Sequence, residues 1–316
     1  TLIGGAGADT ITGGAGLDTL TGAAGNDVFV YNTASADYSG VGEKITGGAD
    51  TDVLLVYGGT TAIDFSNDTL ATLETLELED NLAGSAQTNN QSVKMTAAQV
   101  AGFTTINASA TAGDKIVLSD ASTANLLDNT VINNMLTLEL SDVSGTQNLT
   151  LVNGTFTHTD DRLILDASNL TGLNNVNFVG TAETTGDVEM SITGGAGNDT
   201  LFGGSGADTI ASGGGSDKLY GNGGNDTFNF THAVSPTAVI TLDGGAGSDT
   251  INFDVGSNAL SVGSNNLDKT TNLENIHITS TAEVQLTLDA GLDNVFASGI
   301  TVTITVSDTS ASYINS

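Results

Sequence analysis

The chain has 316 residues, with 37 acidic and 6 basic side chains and a formal net charge of −31. No basic stripe of the kind a nucleic-acid binder needs to displace counterions can be drawn from six cations, and an anionic membrane surface would repel the chain. Cysteine and tryptophan are absent, 41 residues are glycine and one is proline, which excludes disulfides, thiolate metal sites and a proline-rich linker.

Three nine-residue units open the chain, GGAGADTIT, GGAGLDTLT and GAAGNDVFV, from Gly4 to Val30. Each has a carboxylate at its sixth position (Asp9, Asp18, Asp27) and an apolar residue at its eighth (Ile11, Leu20, Phe29). Thr1-Leu2-Ile3 matches positions seven to nine of a preceding unit, so the chain reads as a fragment that begins mid-coil. No signal peptide and no apolar run of the ~18 residues a membrane helix needs is visible. After a polar insert comes a degraded unit, GGADTDVLL, from Gly47 to Leu55 with Asp52 at its sixth position, then LETLEL from Leu73 to Leu78.

From about Gly58 to Met190 short runs alternate in polarity: FTTINAS, KIVLSD, MLTLELSD, QNLTLV, RLILDAS and NNVNFVG. Their period of two predicts strands. Only Thr96 to Gly102 reads as helical, with Thr96 as N-cap and Gly102 as stop. The strands follow one another too closely for helical crossovers. A parallel β-solenoid explains this pattern best, with a β-sandwich as the alternative.

The second block, Gly194 to Asn229, is GGAGNDTLF, GGSGADTIA, SGGGSDKLY and GNGGNDTFN, and GGAGSDTIN follows from Gly244 to Asn252. LENIHI, Leu273 to Ile278, then answers LETLEL, so the chain reads as a duplicated module. The expected organisation is a repeat block over 1–57 with a terminal degenerate unit, a β-solenoid spacer over 58–190, a second block over 191–254 and a second solenoid segment, cut short, over 255–316. Near the end, ITVTITV sets Thr301, Thr303 and Thr305 on one face, which reads as a solvated sheet face.

Glycine reaches positive φ at no steric cost, so a GGxGxD run turns tightly and aims carbonyl oxygens inward. Two units make one turn of a flattened coil, which stacks Asp199 over Asp217, Asp208 over Asp226 and Asp9 over Asp27. Two such charges ~4 Å apart repel by about 4 kcal/mol at an effective dielectric near 20. The segment is therefore expected to require a cation. All the available donors are hard oxygens in a flexible cage, which suits Ca²⁺ better than Mg²⁺. Zinc is disfavoured, because His158, His232 and His277 are the only histidines.

These units resemble the RTX (repeats-in-toxin) nonapeptide GGxGxDxUx. The resemblance implies an all-β fold, with Ca²⁺-bound parallel β-roll blocks inside an elongated right-handed β-solenoid. It also implies several Ca²⁺ ions, held by turn carbonyls and by Asp side chains of units i and i+2. Carried over, the ligating positions are Gly4, Gly5, Gly7 and Asp9; Gly13, Gly14, Gly16 and Asp18; Gly22, Gly25 and Asp27; and Asp52. In the second block they are Gly194, Gly195, Gly197 and Asp199; Gly203, Gly204, Gly206 and Asp208; Gly213, Gly215 and Asp217; Gly221, Gly224 and Asp226; and Gly244, Gly245, Gly247 and Asp249. Ala23, Asp50, Ser212 and Asn222 stand where the family usually has glycine.

The remaining stretches are similar to the β-rich segments between RTX blocks in bacterial surface-layer proteins and large adhesins. Family members leave the cell by type I secretion and fold outside it, which implies an extracellular or cell-surface location. No HExxH, GxSxG or Cys/His pair occurs, and Thr157 to Arg162 reads as a polar turn, so no enzyme is expected in this chain. Glu74, Glu77 and Glu79 read as solvated residues of one strand face. The expected function is that of a Ca²⁺-binding extracellular structural protein. It would self-assemble through Ca²⁺ into a surface layer or filament, with a cell-surface polysaccharide as a further candidate partner. The alternative is a Ca²⁺-stiffened spacer or binding segment of a large adhesin or of a secreted enzyme.

Overall fold

The computed structural model describes residues 1–32, 42–58, 62–79, 90–108, 113–120, 127, 130–141, 145–151, 155–156, 162–181, 188–230, 240–256, 260–262, 269–280, 284–287, 296–306 and 313–315. Thr157 to Asp161 and His232 fall outside them. The chain divides into two compact units, Thr1–Ser141 with Gly154–Ile164, and Asp142–Asn153 with Leu165–Ser316.

In the first unit consecutive strands alternate between sheets, so each strand pairs with the one a full coil away. One sheet runs Leu2–Ala6, Thr19–Ala24, Lys44–Ala49, Thr69–Ala71. A second runs Thr10–Ile11, Val28–Asn32, Val53–Tyr57, Thr75–Glu79, Thr105–Asn107, Val131–Asn133. The strands Ile63–Asp64, Ser92–Met95, Asp114–Leu118 and Met135–Leu140 form a further stack. The pairings between them are parallel. That register excludes the β-sandwich, whose strands run antiparallel.

Register turns the alternating sequence into columns. Ile11, Phe29, Leu54, Leu76, Ile106 and Ile132 follow one another across the second sheet. All of them are buried. The eighth residue of each nonapeptide is thus one member of an apolar column that the spacer strands continue. Full burial of such a side chain contributes about 1.5–3 kcal/mol, which only stacking can deliver.

The second unit repeats the device. Leu149, Phe178, Leu201, Leu219 and Leu242 form one column, which the buried Thr270 ends. Ile192, Ile210, Phe228, Ile251 and Ile276 form another. Phe296–Val306, which contains Thr301, Thr303 and Thr305, pairs in parallel with Leu273–Ser280.

Among the described residues the one α-helix is Ala97–Val100. Thr96 caps it as expected. The Thr96 hydroxyl accepts from the Gln99 N–H, and the Gln99 side chain accepts from the Thr96 N–H at 2.8 Å. No described helix is long and apolar enough to cross a membrane.

Candidate metal sites in the turn ladders

The sixth residue of each nonapeptide sits at the end of its turn, immediately before a strand. Strand register therefore fixes where its carboxylate goes. The Asp9 N–H donates to Asp27 Oδ1 at 2.8 Å, and the Asp27 N–H donates to Asp52 Oδ1 at 2.9 Å. In the second unit Asp199 N–H meets Asp217 Oδ1 at 2.9 Å, Asp208 N–H meets Asp226 Oδ1 at 2.8 Å, and Asp226 N–H meets Asp249 Oδ1 at 2.8 Å. Each carboxylate thus uses one oxygen to accept from the coil before it. Asp27, Asp52, Asp199, Asp208, Asp217, Asp226 and Asp249 are all buried, while Asp9 and Asp18 are half-buried.

The second oxygen divides the turns into two kinds. Asp199 Oδ2 accepts from the Gly195 N–H at 2.8 Å and Asp208 Oδ2 from the Gly204 N–H at 2.6 Å, so these turns close on themselves. The Oδ2 atoms of Asp27, Asp52, Asp226 and Asp249 are buried without a hydrogen-bond partner. Such an atom carries a desolvation cost unless a cation meets it.

The first glycine of each unit marks where these oxygens point. A Cβ on Gly4 would stand 2.6 Å from Asp9 Oδ2 and 2.9 Å from the Gly22 carbonyl oxygen. On Gly22 it would strike Asp27 Oδ2 and the Gly47 carbonyl, on Gly203 Asp208 Oδ2 and the Gly221 carbonyl, and on Gly221 Asp226 Oδ2 and the Gly244 carbonyl. The same pairing joins Gly194 with Asp199 Oδ2 and the Ser212 carbonyl. Carboxylate and carbonyl oxygens from successive coils therefore converge beside a residue with no side chain. At Gly13 the three atoms nearest such a Cβ all belong to Asp18, with its Oδ2 at 2.9 Å. A Cβ on Gly5, Gly7, Gly14 or Gly16 would meet nothing within 4 Å. Gly25, Gly215, Gly224 and Gly247 lie against the carbonyls of Gly7, Gly197, Gly206 and Gly224 respectively.

Three of the non-glycine residues in the motif hold the turn by accepting left-handed backbone, with φ of 91° at Ala23, 80° at Asp50 and 74° at Asn222. Asp and Asn tolerate this region better than most residues. Ser212 supplies its carbonyl while Gly213 takes the positive φ, at 80°.

Burial pushes Asp199 and Asp208 up to about 6, and Asp217 and Asp226 up to about 7. Asp52 and Asp249 are raised as well, again chiefly by burial. Like-charge repulsion, which the sequence reading put first, ranks below burial. Each carboxylate meets a backbone N–H of its neighbour, which offsets part of the repulsion.

No group of three or more His, Cys, Asp or Glu side chains converges among the described residues. A cation here would take its remaining donors from carbonyls. Hard, flexible oxygen donors, with unpartnered carboxylate oxygens at Asp27, Asp52, Asp226 and Asp249, fit Ca²⁺ and do not fit zinc or another thiophilic metal. Gly22, Gly47, Asp27 and Asp52 would hold it in the first unit, and Gly203, Gly221, Gly244, Asp208, Asp226 and Asp249 in the second. When bound, the ion supplies positive charge to oxygens that the protein leaves unsatisfied.

Residues 1–29, 192–229 and 241–260 match the RTX calcium-binding nonapeptide repeat, in four copies. These segments therefore carry RTX calcium-binding repeats: the nonapeptides bind Ca²⁺, several ions in all, and are of a non-catalytic repeat type typical of secreted proteins. No curated protein and no solved structure matches the chain.

The ladder runs further than the motif. Glu43, buried, accepts from the Asp18 N–H at 3.3 Å, and Asp68 Oδ1 accepts from the Glu43 N–H at 2.9 Å. Asp114 Oδ1 accepts from the Gln91 N–H at 2.7 Å in the same manner. Glu74 is corrected outright. Only Glu77 and Glu79 lie on the strand Thr75–Glu79, whereas Glu74 precedes it and accepts from the Asp52 N–H at 2.8 Å. Its spacing of three residues from Glu77 is odd, and residues at odd spacing cannot share a strand face.

Proposed function

We propose that this chain is an extracellular structural module whose repeat blocks become rigid when Ca²⁺ enters the turn ladders, and that Ca²⁺ then joins copies of it into a surface layer or filament. The observation that carries the reading is the set of fully buried, unpartnered Asp oxygens, each set against a carbonyl of the next coil. Outside the cell Ca²⁺ is abundant enough to fill such sites; inside, it is scarce. Ordering would therefore follow export.

A net charge of −31 supports the assembly step, since like-charged copies associate only once cations screen or bridge them. On this reading the chain itself performs no catalysis. Small-angle scattering and electron microscopy of the chain at chelated and millimolar Ca²⁺ would test it. Compact particles and larger assemblies are expected with Ca²⁺. Monomers that persist at high Ca²⁺ would overturn the assembly step in favour of a stiffened spacer.

A further inference from the structure

The turn geometry of the nonapeptides recurs once more in each unit, at a place with none of the motif's letters. We propose that Glu74 and Glu274 each close a further Ca²⁺ site at the end of a repeat block, together with the carboxylate of Asp52 or Asp249 and the carbonyl of Thr72 or Asn272. This rests on Ca²⁺ binding by the repeats, and is independent of assembly.

Inside a block, the oxygen that faces the first glycine of a unit comes from the first residue of the next unit in the stack. At the block ends no such unit follows. A Cβ on Gly47 would strike Asp52 Oδ2 and the Thr72 carbonyl, and one on Gly244 would strike Asp249 Oδ2 and the Asn272 carbonyl. Thr72 and Asn272 have φ of 49° and 50°, the left-handed region, so two different residues adopt one backbone to present the same atom.

The acidic partner is conserved between the two copies as well. Glu74 Oε2 accepts from the Asp52 N–H at 2.8 Å, and Glu274 Oε2 accepts from the Asp249 N–H at 2.7 Å. These are the bonds that an Asp Oδ1 accepts within the blocks. Glu74 N–H and Glu274 N–H donate in turn to the carbonyls of Asp52 and Asp249, at 3.1 and 3.2 Å. Leu73 and Leu273 are both buried and anchor the turns.

The independent sign of a ligand is the second oxygen. Asp52 and Asp249 are 0% exposed, and their Oδ2 atoms have no hydrogen-bond partner. Capping the Asp N–H requires only an acceptor, which glutamine would supply. A second negative charge beside a buried carboxylate is unfavourable unless a cation lies between them. Carboxylate, carboxylate and carbonyl oxygens from two turns form a hard donor set suited to Ca²⁺.

The experiment compares the whole chain with Glu74→Gln, Glu274→Gln and the double variant. Calorimetric titration with Ca²⁺ is paired with bound-metal analysis after dialysis at about 1 mM free Ca²⁺, the range of extracellular sites. Glutamine keeps the acceptor for the Asp N–H, so the turn is retained while the charge is lost. Each single variant is expected to bind one ion fewer, and the double variant two fewer, with the other sites unchanged. Glu77→Gln, on the half-buried strand face, is expected to bind as the parent does. Glu74→Asp, which restores the charge, covers a variant that fails to fold, and partial recovery of the lost ion is expected. Unchanged stoichiometry and affinity in the double variant would overturn the proposal while leaving Ca²⁺ binding by the repeats intact. A parent chain that binds no Ca²⁺ would overturn both.

Discussion

Two stretches of the first unit are built on the same apolar column and differ in how their turns are satisfied. Around Asp27 and Asp52 the turns leave buried carboxylate oxygens without a partner. Between about residues 90 and 140 the polar groups meet protein instead. Lys115 Nζ stands 2.7 Å from Glu139 Oε2, Asn133 Nδ2 donates to Asn107 Oδ1 at 2.7 Å, and Thr130 Oγ1 donates to the Phe103 carbonyl at 2.9 Å. Yet Leu76 and Ile106 continue the column of Phe29 and Leu54 without a break. Strand register builds the coil, and the turn decides whether that coil needs an ion.

Removing Ca²⁺ should break the comparison most visibly. In chelator, backbone amides of Thr19–Ala24, Val28–Asn32 and Val53–Tyr57 are expected to lose hydrogen-exchange protection. Those of Ser92–Met95 and Asp114–Leu118 should retain theirs. Circular dichroism should show β structure returning with a Ca²⁺ midpoint in the ~10⁻⁴–10⁻³ M range. If both stretches exchange alike in chelator, the distinction between the two kinds of turn fails.

Single glycines should sharpen the same contrast inside one unit. An alanine at Gly221 would drive its Cβ into Asp226 Oδ2 and the Gly244 carbonyl, where the ion's donors converge. At Gly214 the nearest atom is the Ala196 carbonyl oxygen, at an ordinary 3.6 Å. Gly221→Ala is expected to cost about 1–3 kcal/mol in Ca²⁺-loaded stability, and Gly214→Ala less than about 0.5 kcal/mol. Urea melts of the two variants at fixed Ca²⁺ would measure the difference. Equal losses would mean that the first glycine is needed for backbone freedom alone.

The contrast was partly legible in the letters. Asp at position six and an apolar residue at position eight return together in all nine units, so the 18-residue coil, the stacked aspartates and the oxygen-rich chemistry could be read directly. Thr72 and Asn272 could not be read this way, because each contributes a carbonyl and the side chains that name them differ. Glu74 was misread because LETLEL invites a strand face, while the turn before it places that carboxylate in the ladder. Glu43 follows an insert that breaks the nine-residue count, so only strand pairing aligns it with Asp18. Side-chain patterns report columns well; backbone donors and residues beyond insertions emerge only once register is known.

Acidity should act in opposite directions with and without the ion. Burial raises Asp217 and Asp226 from the ordinary carboxylate value of 3.8 to about 7. The folded, chelated chain therefore binds protons that the unfolded chain releases. That contribution to stability is complete below 3.8 and is lost as pH rises through 7. Ca²⁺ requires the same oxygens unprotonated, so its affinity should rise over the same interval. Thermal melts in chelator are expected to show a more stable block at pH 5 than at pH 8. Ca²⁺ titrations should show weaker binding at pH 5. A chelated block that gains stability with rising pH would contradict the burial of these carboxylates.

The smallest effect is expected where the protein already satisfies itself. Lys115 and Glu139 form an ion pair with side chains 34% and 20% exposed, so solvent screens much of their attraction. Lys115→Gln should cost about 0–1 kcal/mol. The informative quantity is its dependence on Ca²⁺: the loss should be the same in chelator and at saturating ion, because Lys115 and Glu139 lie on the spacer strands Asp114–Leu118 and Met135–Leu140. Asp226→Asn, by contrast, should change sign with the ion: a loss of stability when Ca²⁺ is present and, because a buried unpaired charge is removed, a gain in chelator near neutral pH. A double-mutant comparison at two Ca²⁺ concentrations would read this directly. Coupling between Lys115→Gln and the ion would show that the spacer coils share the cation requirement, and that the turn by itself does not set it.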